Sequence, residues 1–170
     1  MATAVLIVRL IIGLGIAAHG AQKLFGWFGG YGIAGTGQFF ESLGFRPGVL
    51  FATLAGLGEF FGGLLTALGL LNPIGPALIA VVMLTAIFSV HIRNGFFVEN
   101  KGWELPILYL AGALLIAFTG VDRFSLDAAF GLHLWGSSKA LWSTFGVSLI
   151  LALLNLLSRR PAPQPQQKAA

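Results

Sequence analysis

Cysteine is missing from this 170-residue chain. Its absence excludes disulfides, thiolate metal sites and thiol redox relays, so any redox chemistry needs a bound cofactor or a redox-active substrate. Charge is scarce as well. Only 9% of the residues are Asp, Glu, Lys or Arg, against about a quarter in soluble domains, too few to cover a water-facing globule. The charges present lean basic, ten against six, for a net +4 and a pI near 10.0. They scatter over the ends of apolar segments and the tail and form no basic stripe. Nucleic acid is therefore excluded as a partner, and the basic residues are read as reporters of membrane topology.

What fills the chain instead is apolar. Hydrophobic residues make up 56%, and mean hydropathy is +0.87. The recurring apolar runs predict five membrane spans, at about 4–22, 49–71, 74–92, 105–121 and 140–157. Pro47 opens the second span, a position that suits proline, and the "NP" turn at Asn72 and Pro73 separates the second from the third. The first span is not read as a cleavable signal peptide, because no basic segment precedes it and no small-residue cleavage site leads into a polar chain.

Between the first two spans lies "KLFGWFGGYGIAGTGQFFESLGFRPG", too interrupted by glycine to span. Residues 38–43 within it predict one or two amphipathic turns. Trp27, Phe28, Tyr31, Phe39 and Phe40 suit the membrane–water interface, or a loop folded over a site at that end of the bundle. The tail "PAPQPQQKAA" is expected to be disordered. With five spans, Lys23, Arg46, Arg93, Lys101, Arg159, Arg160 and Lys168 share one side. Arg123 and Lys139 take the other, with Asp122 and Asp127. The positive-inside rule puts the first group, and the C-terminus, in the cytoplasm.

Glu59, in "LAGLGEFFGG", is the residue to explain. It lies about 15 Å into its span, near the middle of a 30 Å hydrocarbon core, where an acid costs roughly 2.5–3.5 kcal/mol. It must be protonated, paired or turned to a polar cavity. Gly58 and Gly62 have the G-x-x-x-G spacing that lets a second helix approach, so Glu59, bordering that face, points into the bundle.

Candidate partners cluster at similar depth: His19, Lys23 one helical turn beyond it on the same face, His91, and Glu104 at the head of the fourth span. Arg9, about 6 Å past the midplane, could reach Glu59 from the other side. Each has a plainer reading. His19 and His91 fit an interface, Lys23 fits a snorkelling role, Glu104 fits a first-turn acid favoured by the helix dipole, and Arg9 with Glu59 fits a structural ion pair. Two His and two Glu suit iron or zinc, but no ligand spacing such as E-x-x-H is present, so no metal is assigned. A quinone headgroup needs a His or Glu to exchange protons and aromatic or small-residue walls, and the sequence supplies both.

The segments "RLIIGLGIAAHGAQKLFGWFGGYGIAGTGQFFESLGFRPG", "LAGLGEFFGGLLTALGLLNP", "VHIRNGFFVENKGWEL" and "TGVDRFSLDAA", in this order, resemble the DoxX family of bacterial membrane proteins over about residues 5–130. The resemblance implies a four-helix core. It also implies a link to the small membrane subunit of thiosulfate:quinone oxidoreductase, or to membrane-associated oxidoreductase complexes in oxidative-stress defence. Its polar signature falls on Arg9, His19, Lys23, Glu59, His91 and Glu104. The C-terminal segment departs from the family as an added span.

The expectation is an all-α inner-membrane protein: a four-helix bundle over 1–135, a fifth transmembrane helix over 136–158 and a disordered tail over 159–170. Glu59, His19 and His91 are the candidate catalytic residues, and Lys23, Arg9 and Glu104 the candidate ligand-binding residues, with Lys23 holding an anionic form and Arg9 tuning Glu59. The expected function is that of a membrane subunit of a quinone-linked oxidoreductase system. The alternative is a non-catalytic scaffold that recruits a soluble oxidoreductase. Expected partners are the lipid bilayer and a protein of an oxidoreductase complex, with further copies of the chain left open.

Overall fold

The computed structural model describes residues 1–120, 122–132 and 138–160. Helix α1 spans Ala2–Phe25, α2 Gly32–Ser42, α3 Gly48–Leu68, α4 Ile74–Ala86, α5 Glu104–Thr119, α6 Leu126–Ala129 and α7 Ser138–Leu157. A π-helical turn, Ile87–His91, and a short 3-10 turn carry α4 on to Asn94. Taken with that extension, α1, α3, α4 and α7 are each long and apolar enough to cross a membrane. Helix α5, with 16 residues, is shorter, about 24 Å at 1.5 Å per residue. Among the described residues there is no strand.

Small residues bring the helices together, as expected where lipid removes the hydrophobic drive between them. Helix α3 has two such faces. One meets α1: a Cβ at Gly13 would fall 2.5 Å from the Ala67 nitrogen, and one at Gly63 would fall 2.5 Å from the Gly13 oxygen. The other is the G-x-x-x-G face, which meets α4: a Cβ at Gly62 would fall 3.0 Å from the Leu78 Cβ, and one at Gly58 3.0 Å from Val82 Cγ2. Ile16, Ile79, Met83 and Ala113 close the centre among α1, α4 and α5. Large apolar side chains such as Ile11, Phe61 and Leu108 face outward and are half exposed or more, as lipid-facing residues are. The chain is a multi-pass membrane protein.

Helix α2 begins at Gly32, earlier than its amphipathic pattern predicts. Its glycines, poor helix formers alone, let it lie against α3, where a Cβ at Gly37 would fall 3.1 Å from the Val49 nitrogen. The added C-terminal helix α7 packs on α4. Ser148 and Ala152 are buried there, and the Ser148 hydroxyl donates to the Ala77 carbonyl at 3.2 Å. Its last residues reach the α2–α3 connection: Arg160 N–H donates to the Gly44 carbonyl at 2.8 Å and Arg159 Nε to the Leu43 carbonyl at 2.8 Å. The 135/136 boundary and all but the first two residues of the expected tail lie outside the described residues.

The bundle thus has two distinct ends. One gathers the α1–α3 connection, the 92–103 segment and the end of α7. The other gathers the α3–α4 turn and residues 122–132.

Candidate functional site

Glu59 lies between the two small faces of α3 and is 3% exposed. Its partner is Lys23, with Nζ 2.5 Å from Oε2. A side chain on a helix leans toward that helix's N-terminus, so Lys23, near the C-terminal end of α1, leans inward to the level of Glu59. The same lean carries Arg9, near the start of α1, away from the level of Glu59. Its guanidinium meets Asp122 at 3.3 Å and donates to the Phe124 carbonyl at 3.0 Å. The expected approach of Arg9 to Glu59 is therefore not what the structure shows: Arg9 belongs to the other end of the bundle.

Lys23 and Glu59 stand on the wall of a cavity of about 710 Å³. Its lining is mostly apolar, with Phe40, Phe45, Phe51, Leu54, Val82 and Met83 among the contributors. His19 and His91 line it too, so four of the six residues singled out on depth share one space. His91 Nδ1 lies 2.6 Å from the Lys101 carbonyl, which ties the π-helical turn to the following loop. Such turns often occur at functional sites, because they re-aim side chains within a helix.

Glu104 does not line this cavity. Its carboxylate accepts the Val98 N–H at 2.9 Å, holding the loop before α5 as a first-turn acid.

Sequence reasoning missed Tyr109. It lines the cavity, packs edge to face on His19 with ring centroids 5.9 Å apart, and lies within electrostatic reach of Glu59. A signal was available: Gly15, His19 and Lys23 follow one another at i, i+4 and i+8, so the face that carries the two polar groups also carries a gap.

At the opposite end the polar groups close on one another. Asp127, 2% exposed, accepts the Leu71 N–H at 2.8 Å and the Asn72 N–H at 2.9 Å. Gly69 ends α3 in the left-handed conformation, φ 62°, with Arg9 packed where a Cβ would stand. The void beside them is about 10 Å³, room for about one water.

Among the described residues, no three His, Cys, Asp or Glu side chains come together as a metal-ligand set. The cavity presents Glu59, Lys23, His19 and Tyr109, groups able to hydrogen-bond, to pair with opposite charge and to exchange protons.

A family model described as DoxX matches residues 4–92, the stretch that supplies Lys23, Glu59, both cavity histidines and helices α1 to α4. A Bacillus subtilis (strain 168) protein named "Putative oxidoreductase CatD" is 31% identical over 122 residues, 72% of this chain and 83% of that protein. No solved structure matches the chain. The family model covers more than half of the chain and the Bacillus relative is matched over most of its length, so the chain belongs to the DoxX family.

Proposed function

We propose that the protein is the membrane subunit of a quinone-linked oxidoreductase system and that the cavity receives the quinone headgroup. The single observation that carries this reading is the cavity itself: about 710 Å³, mostly apolar, with the Lys23–Glu59 pair and His19 on its wall. A ligand that dissolves in lipid and exchanges protons suits such a space. A quinone, when bound, takes up two electrons and two protons to become a quinol. The electrons come from a two-electron donor carried by a partner oxidoreductase, a role in keeping with the name of the Bacillus relative. Glu59 holds and gives up a proton at its carboxylate, and Lys23 steadies the anionic form. The apolar walls exclude bulk water, which strengthens both effects.

The cavity end faces the cytoplasm of a bacterial inner membrane in this reading. Six basic residues, Lys23, Arg46, Arg93, Lys101, Arg159 and Arg160, lie at that end, within reach of a soluble donor. A reporter fused after Arg160 is expected to be cytoplasmic and one inserted at Asn72 periplasmic. The reverse pattern would overturn the orientation.

The function is tested by solvent extraction of the purified protein, followed by titration with decylubiquinone monitored by tryptophan fluorescence. Co-purifying quinone and saturable quenching, lost in Glu59→Gln, are expected. An empty extract, no quenching and full support of the partner by Glu59→Gln would favour the scaffold role.

A further inference from the structure

The cavity wall holds polar atoms that the Lys23–Glu59 pair leaves unused. The Tyr109 hydroxyl makes no hydrogen bond to a described residue. It faces α1 at Gly15, where a Cβ would fall 2.7 Å from its oxygen. Next along that face of α1 is His19, against the Tyr109 ring.

The tautomer of His19 follows from a short chain of contacts. Gln22 Nε2 lies 3.2 Å from the Phe28 carbonyl. A carbonyl only accepts, so the amide nitrogen of Gln22 faces Phe28 and its oxygen faces His19. That oxygen lies 3.1 Å from His19 Nδ1 and also only accepts, so Nδ1 carries the proton. The neutral ring then offers Nε2 as an acceptor. A hydroxyl donor on α5 and an imidazole acceptor on α1 therefore stand side by side on an apolar cavity wall.

We propose that Tyr109 and His19 together read the redox state of a quinone–quinol headgroup, Tyr109 donating to the carbonyl of the oxidised form and His19 Nε2 accepting from the hydroxyl of the reduced form. Gln22 is the positioning residue that fixes the histidine, and Gly15 makes room for the phenol. The inference rests on the quinone reading of the cavity and adds the residues that distinguish the two forms.

The test uses the full-length protein in detergent, titrated separately with decylubiquinone and decylubiquinol, with melting temperature followed alongside. Tyr109→Phe keeps the ring and its packing. It is expected to weaken the quinone about tenfold, the size of one lost hydrogen bond, with a smaller effect on the quinol. Gly15→Ala should reproduce that pattern by pushing the phenol aside. Gln22→Leu should weaken the quinol about tenfold by the same measure. Gln22→Glu should restore part of it, because its carboxylate also accepts from Nδ1 although it no longer donates to the Phe28 carbonyl; a residue needed only for packing would not show that rescue. Unchanged affinities in Tyr109→Phe and Gln22→Leu, with tight binding by the unaltered protein, would overturn this assignment and leave the quinone reading standing. Failure of the unaltered protein to bind either form would overturn both.

Discussion

Helix α1 sends one cation to each end of the bundle, and the two ion pairs have different surroundings. Arg9 meets Asp122 beside a turn stitched by Asp127, with a void of about 10 Å³. Lys23 meets Glu59 beside a cavity of about 710 Å³. At the first end the turn's backbone donors are taken up by Asp127. At the second, Tyr109 is unbonded to any described residue and the space beside it is large. A buried pair is therefore not in itself a sign of function. What separates the two is the space beside each pair: about 10 Å³ at the Arg9 end, where Arg9 Nε and an Asp122 oxygen have no hydrogen bond to a described residue, and about 710 Å³ at the Lys23 end. The Arg9 end reads as a clasp that holds helices together, and the Lys23 end borders the space proposed for the ligand.

That contrast is open to direct attack. Arg9→Met should do the most damage. It leaves Asp122 without its cation, and breaking a buried pair costs about 3–5 kcal/mol. A large fall in melting temperature and expression is expected; a melting temperature equal to that of the unaltered protein would remove the clasp. Asp127→Ala comes next, because it strands the Leu71 and Asn72 N–H groups at about 1–3 kcal/mol for each donor left unsatisfied. Thermal melts should show a loss comparable with that of Arg9→Met, about 2–6 kcal/mol for the two donors together, with quinone affinity kept by the folded fraction.

Lys23→Met should cost less stability again, since the stranded Glu59 can take up a proton or meet water from the cavity. The double change Lys23→Met with Glu59→Met should recover that loss in the melt without recovering ligand binding. Glu59→Gln should have the smallest effect on stability, because the Lys23 side chain that it leaves unpaired is 25% exposed and can meet water from the cavity, while quinone binding disappears. A collapse of Glu59→Gln as deep as that of Arg9→Met would erase the distinction between the ends.

The sequence carried some of this and not the rest. Long spans are readable because twenty apolar residues in a row have few other uses. The depth of Lys23, His19, Glu59 and His91 followed from counting residues, and they do line one cavity. The pairing did not follow, because depth says nothing of lateral position. The lean of helical side chains toward the N-terminus, applied to α1, separates Arg9 from Lys23 and would have favoured Lys23. Helix α2 was only half legible, since its glycines look like helix breakers until α3 is laid against them. Tyr109 was passed over because a tyrosine in an apolar helix has no sequence mark of its own. Asp127 stood in a polar stretch with nothing to say that it would cap a turn 55 residues away.

The π-helical turn at Ile87–His91 has a consequence for how this protein can be altered. Each such turn holds one residue more than the α-helical turn it replaces, so it is an insertion absorbed without breaking the helix. Removing Val90 would let an ordinary α-helix re-form. A five-residue π turn covers nearly the same rotation as four α-helical residues, so the residues beyond the excision would keep their faces. Helix α4 would stay in register with α3, α5 and α7, and the change would fall on the turn itself, which carries His91 to the cavity wall and to the Lys101 carbonyl. That deletion separates what α4 does as a strut from what its last turn does for the cavity.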